Sequence, residues 1–188
     1  MSRQESRWKP RPALAGAPAY LHPWLSDPGS LTARIVARCQ RFQVRVLGER
    51  RAPPFSDEHR LIGLPPGRHA WTREVLLLAD GVPVVFAHSV LAPRDLVGAW
   101  HMARAIGSRP LGAALFADPK VRRFPLEYRQ LDARHPLYRP AVAHLAAAPQ
   151  RLWMRRSQFA LGGHPLLVTE VFLPAVQEYP SPDSRARK

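Results

Sequence analysis

The chain is 188 residues long, is 46% hydrophobic and carries a formal net charge of +14. That length holds one domain with a sizeable core, and no run approaches the ~18 consecutive apolar residues of a membrane span. Cys39 is the only cysteine, which excludes an intramolecular disulfide and a thiolate metal cluster; in a helical pattern it reads as a small buried hydrophobe. The positive charge is almost all arginine, the lysines being Lys9, Lys120 and Lys188. It is spread along the chain rather than gathered on one face. No nucleic-acid partner is therefore expected, whereas a positive field suits a small dianionic substrate. The stretch from Met1 to Ala13 is basic and polar with no apolar signal core, so a cytoplasmic location is expected.

In chain order, residues 1–19 read as a flexible N-terminal arm and residues 20–179 as the folded domain. Residues 180–188 read as a disordered tail. Leu31, Ile35, Val36 and Cys39 give a helical stripe over 31–41, with Asp27 or Ser30 as cap. Phe42, Val44 and Val46 alternate as a strand, and 48–70 is a loop-rich connection. Strands near 71–78 and 84–91 turn at Asp80-Gly81. A helix over 93–107 presents Leu96, Val97, Trp100, Ala103 and Ile106 and stops at Gly107. A short helix over 110–116 follows it, and the two together form a helix-turn-helix flap. Residues 121–131 read as a strand and 132–150 as an insertion with helix at 141–148. A second hairpin occupies about 152–161 and 165–173. The expected fold class is α+β: a single antiparallel sheet of about six strands with helices packed on it.

Two segments carry the chemistry. WTREVLLLADG (71–81) and LLVTEVFLP (166–174) are apolar strand-like runs, each with a charge where a core residue belongs. Desolvating a charge is costly unless something pairs with it. Arg73 and Glu170 are therefore either ion-pair partners or parts of a polar site in an apolar pocket. The two hairpins also align with each other. Superposing Pro83 on Pro165 places Gly81 on Gly163, Arg73 on Arg155 and His88 on Glu170, which suggests an internal duplication about a pseudo-twofold axis. Arg155 and Arg156 are adjacent, so on a strand one faces each side; the duplication puts Arg155 on the side of Arg73. Asp80 reads as a turn former and His164 as a turn residue. No dinucleotide fingerprint, phosphate loop, metalloprotease motif or histidine set with metal-ligand spacing occurs, so neither a metal nor an organic cofactor is expected.

At these residues the sequence resembles a known family. WTREVLLLADG, the RPLG of 109–112 and GHPLLVTEVFLP (163–174) are similar to the hallmark segments of the chorismate pyruvate-lyases. The resemblance spans about residues 24–179. It implies a single antiparallel sheet whose helix-turn-helix flaps cover an internal ligand cavity, with no cofactor. It also implies the elimination of pyruvate from chorismate to give 4-hydroxybenzoate, the first committed step of ubiquinone synthesis. Arg73 matches the arginine that binds the ring carboxylate, and Glu170 matches the acid placed against the ring hydroxyl. Leu111 matches an apolar contact over the ligand, and Leu31 stands on the other flap. Where other members carry a second arginine on the strand after the first turn, this chain has His88. That leaves His88 or Arg155 to hold the enolpyruvyl carboxylate. A monomer is expected. Two other readings are a non-catalytic effector-binding module of the same fold and, further off, a basic nucleic-acid binder.

Overall fold

The structure, a computed structural model, describes residues 8–179. Seven strands form one sheet. They are β1 (Phe42–Ala52), β2 (Ala70–Ala79), β3 (Val82–Leu91), β4 (Val121–Arg123), β5 (Glu127–Leu131), β6 (Leu152–Leu161) and β7 (His164–Phe172). The order is β1-β2-β3-β7-β6-β4, with β5 also paired to β6, and each pairing is antiparallel. The expected single strand over 121–131 is two, because Pro125 has no N–H for the ladder. Both pieces lie along the same edge of β6.

The two hairpins sit side by side, joined through β3 and β7, so the centre of the sheet lies between the segments that align in sequence. In the first turn Asp80 (φ 51°) and Gly81 (φ 85°) take left-handed conformations, as a two-residue hairpin loop requires. Asp80 does more than turn the chain. Its Oδ1 accepts from the N–H groups of Gln40 and Arg41 at 2.9 and 2.7 Å, which fixes the start of β1.

Two β-bulges decide which residues share a face. In β3 the pairing steps from Leu77↔Val85 to Leu78↔Pro83, which leaves Val84 extra. In β1 it steps from Val46↔Val75 to Gly48↔Glu74, which leaves Leu47 extra. Each extra residue exchanges the faces of everything beyond it.

Helices lie on both faces. α1 (His22–Leu25), α2 (Leu31–Val36) and α3 (Leu111–Ala117) cover the face of Trp71 and Val75, and α4 (Tyr138–Val142) packs on the opposite face against Leu76, Phe86 and Met154. Ser30 caps α2 by accepting from Ala33 N–H at 3.3 Å. The expected 93–107 helix is instead a run of turns with a 3-10 turn at His101–Ala103. Its apolar stripe is nonetheless buried as read, at Leu96, Trp100, Ala103 and Ile106, while Val97 is exposed. Trp100 anchors this excursion, with its indole N–H donating to His164 O at 3.0 Å. The expected N-terminal arm is packed where it is described. Residues 8–19 pack on the domain: Lys9 bridges to Tyr128 and Ala17 is buried. Residues 1–7 and the 180–188 tail lie outside the described residues.

Candidate active site

The face that holds Arg73 carries two apolar clusters with a polar band between them. One cluster gathers Trp24, Leu25, Leu31 and Ile35 against Val75, Ala87 and Phe172. The other gathers Leu96, Trp100, Ile106, Leu111 and Leu115 against Trp71, Leu91, Phe159 and Leu166. The cross-strand register places Arg73, Ser89, Val168 and Ser157 in one row, and Val75, Ala87, Glu170 and Arg155 in the next. Arg73, Arg155, Ser89 and Ser157 are all buried. Lateral and axial strand spacings put the Cα atoms of Arg73 and Glu170 about 12 Å apart.

Arg73 and Glu170 are not each other's partner. Arg73 donates from Nε to Glu49 Oε1 at 2.8 Å. From Nη2 it donates to the carbonyls of Gly107 and Arg109, at 2.6 and 3.5 Å. It thereby ties the 92–117 flap to β2. Arg155 donates from Nε to Glu170 Oε2 at 2.6 Å. Its Nη1 donates to the carbonyls of Trp24, Leu25 and Asp27, at 3.2, 3.1 and 2.8 Å, which ties the other flap to β6. Each guanidinium thus holds one carboxylate and one covering segment. Among the described residues Nη1 of Arg73 and Nη2 of Arg155 make no hydrogen bond.

Leu31 and Leu111 are the first residues of α2 and α3, one on each side of the polar band. The two helices approach closely: a Cβ on Gly112 would lie 3.5 Å from Thr32 Oγ1. Arg123 closes the third side. It donates from Nε to Ser157 Oγ at 3.1 Å, binds the Pro28 carbonyl and lies over Phe116 and Phe159. Burial lowers its pKa, and the charge of Arg155 adds to that. Burial raises the Tyr128 phenol beside Arg155. Asp27 is pushed up by burial, but Arg34 and the Gly29 N–H outweigh this and lower it.

His88 is elsewhere. It pairs opposite Glu74 and Thr169, so it faces the other side of the sheet. The cause is the Val84 bulge. Counted without it, His88 falls on Glu170; counted with it, Ser89 does. On that back face His88 sits 3.3 Å from Glu74 and 3.6 Å from Glu58, stacked near Phe55. Burial raises the Glu58 carboxyl, whereas the His88 ring holds the Glu74 carboxyl below its ordinary value. Arg156 also faces the back, paired to Asp57 and Glu127 at 2.8 Å each. Of the residues singled out from the sequence, Arg73, Glu170, Arg155, Leu31 and Leu111 come to one face and His88 does not. Glu49 and the carbonyls at 24–27 and 107–109 were not foreseen. The signal for Glu49 is hidden by the Leu47 bulge, without which residue 49 would face away. Among the described residues no group of three His, Cys, Asp or Glu side chains is arranged to hold a metal ion.

The structure is thus an α+β architecture in which two flaps cover a buried polar band on a single antiparallel sheet. Solved structures share it. The ligand-binding domain of a GntR-family transcriptional regulator from Bordetella bronchiseptica matches 71% of this chain and 85% of its own, with a TM-score of 0.52 and 19% identity. The effector domain of PhnF from Mycobacterium smegmatis matches 78% and 89%, at 0.53 and 15%. At such identities the likeness is one of fold.

The sequence relatives fix the family. The chorismate lyase family model matches residues 2–180. The chain is 56% identical to the probable chorismate pyruvate-lyase of Aromatoleum aromaticum, over 93% of this chain and 95% of that one. It is 54% identical to that of Azoarcus sp., over 92% and 93%. The chain belongs to the chorismate lyase family. No helix among the described residues is long and apolar enough to cross a membrane.

Proposed function

We propose that this chain eliminates pyruvate from chorismate to give 4-hydroxybenzoate for ubiquinone synthesis, and that the band between Arg73 and Glu170 is the active site. The observation that carries the reading is the pair of buried arginines on one sheet face, each under a flap and each with one Nη group not hydrogen-bonded within the described fold. Chorismate offers two carboxylates and a ring hydroxyl. A planar guanidinium matches a carboxylate better than an ammonium does, so Arg73 takes the ring carboxylate. Glu170 accepts from the ring hydroxyl. Arg155, not His88, is on the correct face to meet the enolpyruvyl carboxylate.

The chemistry asks little more of the protein. The hydrogen on the hydroxyl-bearing ring carbon moves to the enolpyruvyl methylene as the ether C–O bond breaks. Pyruvate leaves with that hydrogen in its methyl group, and the ring becomes aromatic. Aromatisation supplies the driving force. The site fixes the reactive conformer and stabilises charge at the breaking bond, while Leu31 and Leu111 exclude water and strengthen both polar contacts.

The test is to treat the purified chain with a chelator, add chorismate and follow both products. Equal amounts of 4-hydroxybenzoate and pyruvate at an undiminished rate are expected. Activity that returns only with a divalent metal, or binding without turnover as in an effector module, contradicts the reading.

A further inference from the structure

Glu49 belongs to two places at once. Its carboxylate holds Nε of Arg73, and its side chain also lines a 440 Å³ pocket open to solvent. The remaining walls include Arg51 and Trp71 on the sheet, and Pro93, Leu96 and Arg104 on the 92–117 flap. Arg51 and Arg104 are exposed and form no ion pair among the described residues. A neighbouring 790 Å³ pocket shares Arg51 and Pro93 and adds Arg68, His69 and Arg94. Among the described residues Glu49 is the one carboxylate lining either pocket, and Arg73 already occupies it. The positive charge at this mouth is therefore left for something else, and it leads directly to Arg73.

We propose that the pocket between β1, β2 and the 92–117 flap is a capture vestibule for small ring carboxylates. Arg51 and Arg104 receive a carboxylate at the mouth, and Arg73 then exchanges Glu49 for it as the flap closes. This rests on the lyase reading above and deepens it. Three features fit together. The volume suits a small organic anion. Trp71 and Leu96 offer an apolar wall to a six-membered ring. A cleft lined by one sign of charge focuses its field and raises association rates by ~10- to 1000-fold. The flap residues in the wall are continuous with the Gly107 and Arg109 carbonyls held by Arg73, so opening the flap widens the pocket and loosens Arg73 together.

The experiment compares the wild type, the Arg51→Ala/Arg104→Ala double variant, an Arg104→Glu variant and a charge-matched Arg134→Ala/Arg139→Ala control from the 132–150 insertion. Two readouts are taken from about 0.02 M to about 0.5 M salt, where screening removes surface fields. These are kcat/KM for chorismate and the association rate constant for 4-hydroxybenzoate, followed by tryptophan fluorescence. The vestibule double variant should lose roughly tenfold in both at low salt, Arg104→Glu more, and the gap should close at high salt. The loss falls on kcat/KM rather than on kcat, and the control pair follows the wild type. Salt slopes and association rates equal to those of the control overturn the vestibule. A wild type that binds 4-hydroxybenzoate with this salt dependence but leaves chorismate intact overturns the lyase reading and keeps the vestibule. Binding of neither compound overturns both.

Discussion

Arg155 donates from Nε to Glu170 Oε2 at 2.6 Å, so the acid on β7 is held by the arginine directly across its own hairpin and not by Arg73. A carboxylate held by a guanidinium on one oxygen is an oriented hydrogen-bond acceptor on the other. Glu170→Gln keeps the shape and one acceptor. It should retain about a tenth or more of wild-type kcat, a barrier change of about 1.4 kcal/mol or less. Steady-state kinetics on the folded variant checks this. A fall to background points instead to proton abstraction by Glu170.

The same pair organises the covering segment. Arg155→Ala strands Glu170 and leaves the carbonyls of Trp24, Leu25 and Asp27 without their donor. Removing one partner of a buried pair costs about 3–5 kcal/mol. Urea unfolding should show a loss of that size. A loss below about 1 kcal/mol, the scale of an exposed pair, contradicts the anchoring role.

His88 lies on the back of the sheet between Glu74 and Glu58. The KM for chorismate should therefore change with pH in the same way in wild type and His88→Gln, from about pH 6 to about pH 8.5, the range in which an ordinary histidine titrates. The substitution should lower stability instead, because it leaves two buried carboxylates without a ring between them. A variant whose KM loses its pH dependence would return His88 to the substrate.

His135 gives the fold an acid sensitivity of its own. Burial depresses its pKa from 6.5 to about 4, and its Nδ1 accepts from Leu137 N–H at 3.2 Å, which only the unprotonated nitrogen can do. Because the folded value is depressed, this stability is present above 6.5 and is lost as pH falls towards 4. In His135→Asn the amide oxygen can accept the same N–H two residues on. The drop in Tm between those pH values should be smaller in the variant. Equal drops contradict the assignment.

Much of this was legible in the sequence, because period-2 patterning and turn chemistry are local. Both hairpins, the Asp80-Gly81 turn and the two charged strand positions follow from residues within a few places of each other. The bulges do not, because an extra residue such as Val84 or Leu47 is as apolar as its neighbours, and only the partner strand reveals that it is unpaired. The Val84 bulge moved His88 off the site, and the Leu47 bulge brought Glu49 onto it. The 93–107 segment has a helical stripe that is buried as read, but Pro93, Gly98 and the Trp100 anchor to His164 hold it as turns. The partners of Arg73 and Arg155 include backbone carbonyls from distant segments, which no side-chain pattern records.

The most direct measurement sets one buried arginine from each face of the sheet against the other. Arg73→Ala removes a guanidinium from the flap-covered face, and Arg156→Met removes one from the back while keeping its bulk. With both variants confirmed as folded, kcat/KM for chorismate should fall by about 30-fold to several thousand-fold in Arg73→Ala, the ~2–5 kcal/mol of a lost buried charge partner. It should stay within a few-fold of wild type in Arg156→Met. Near-native turnover by Arg73→Ala, or a comparable loss in Arg156→Met, would contradict the placement of the active site between Arg73 and Glu170.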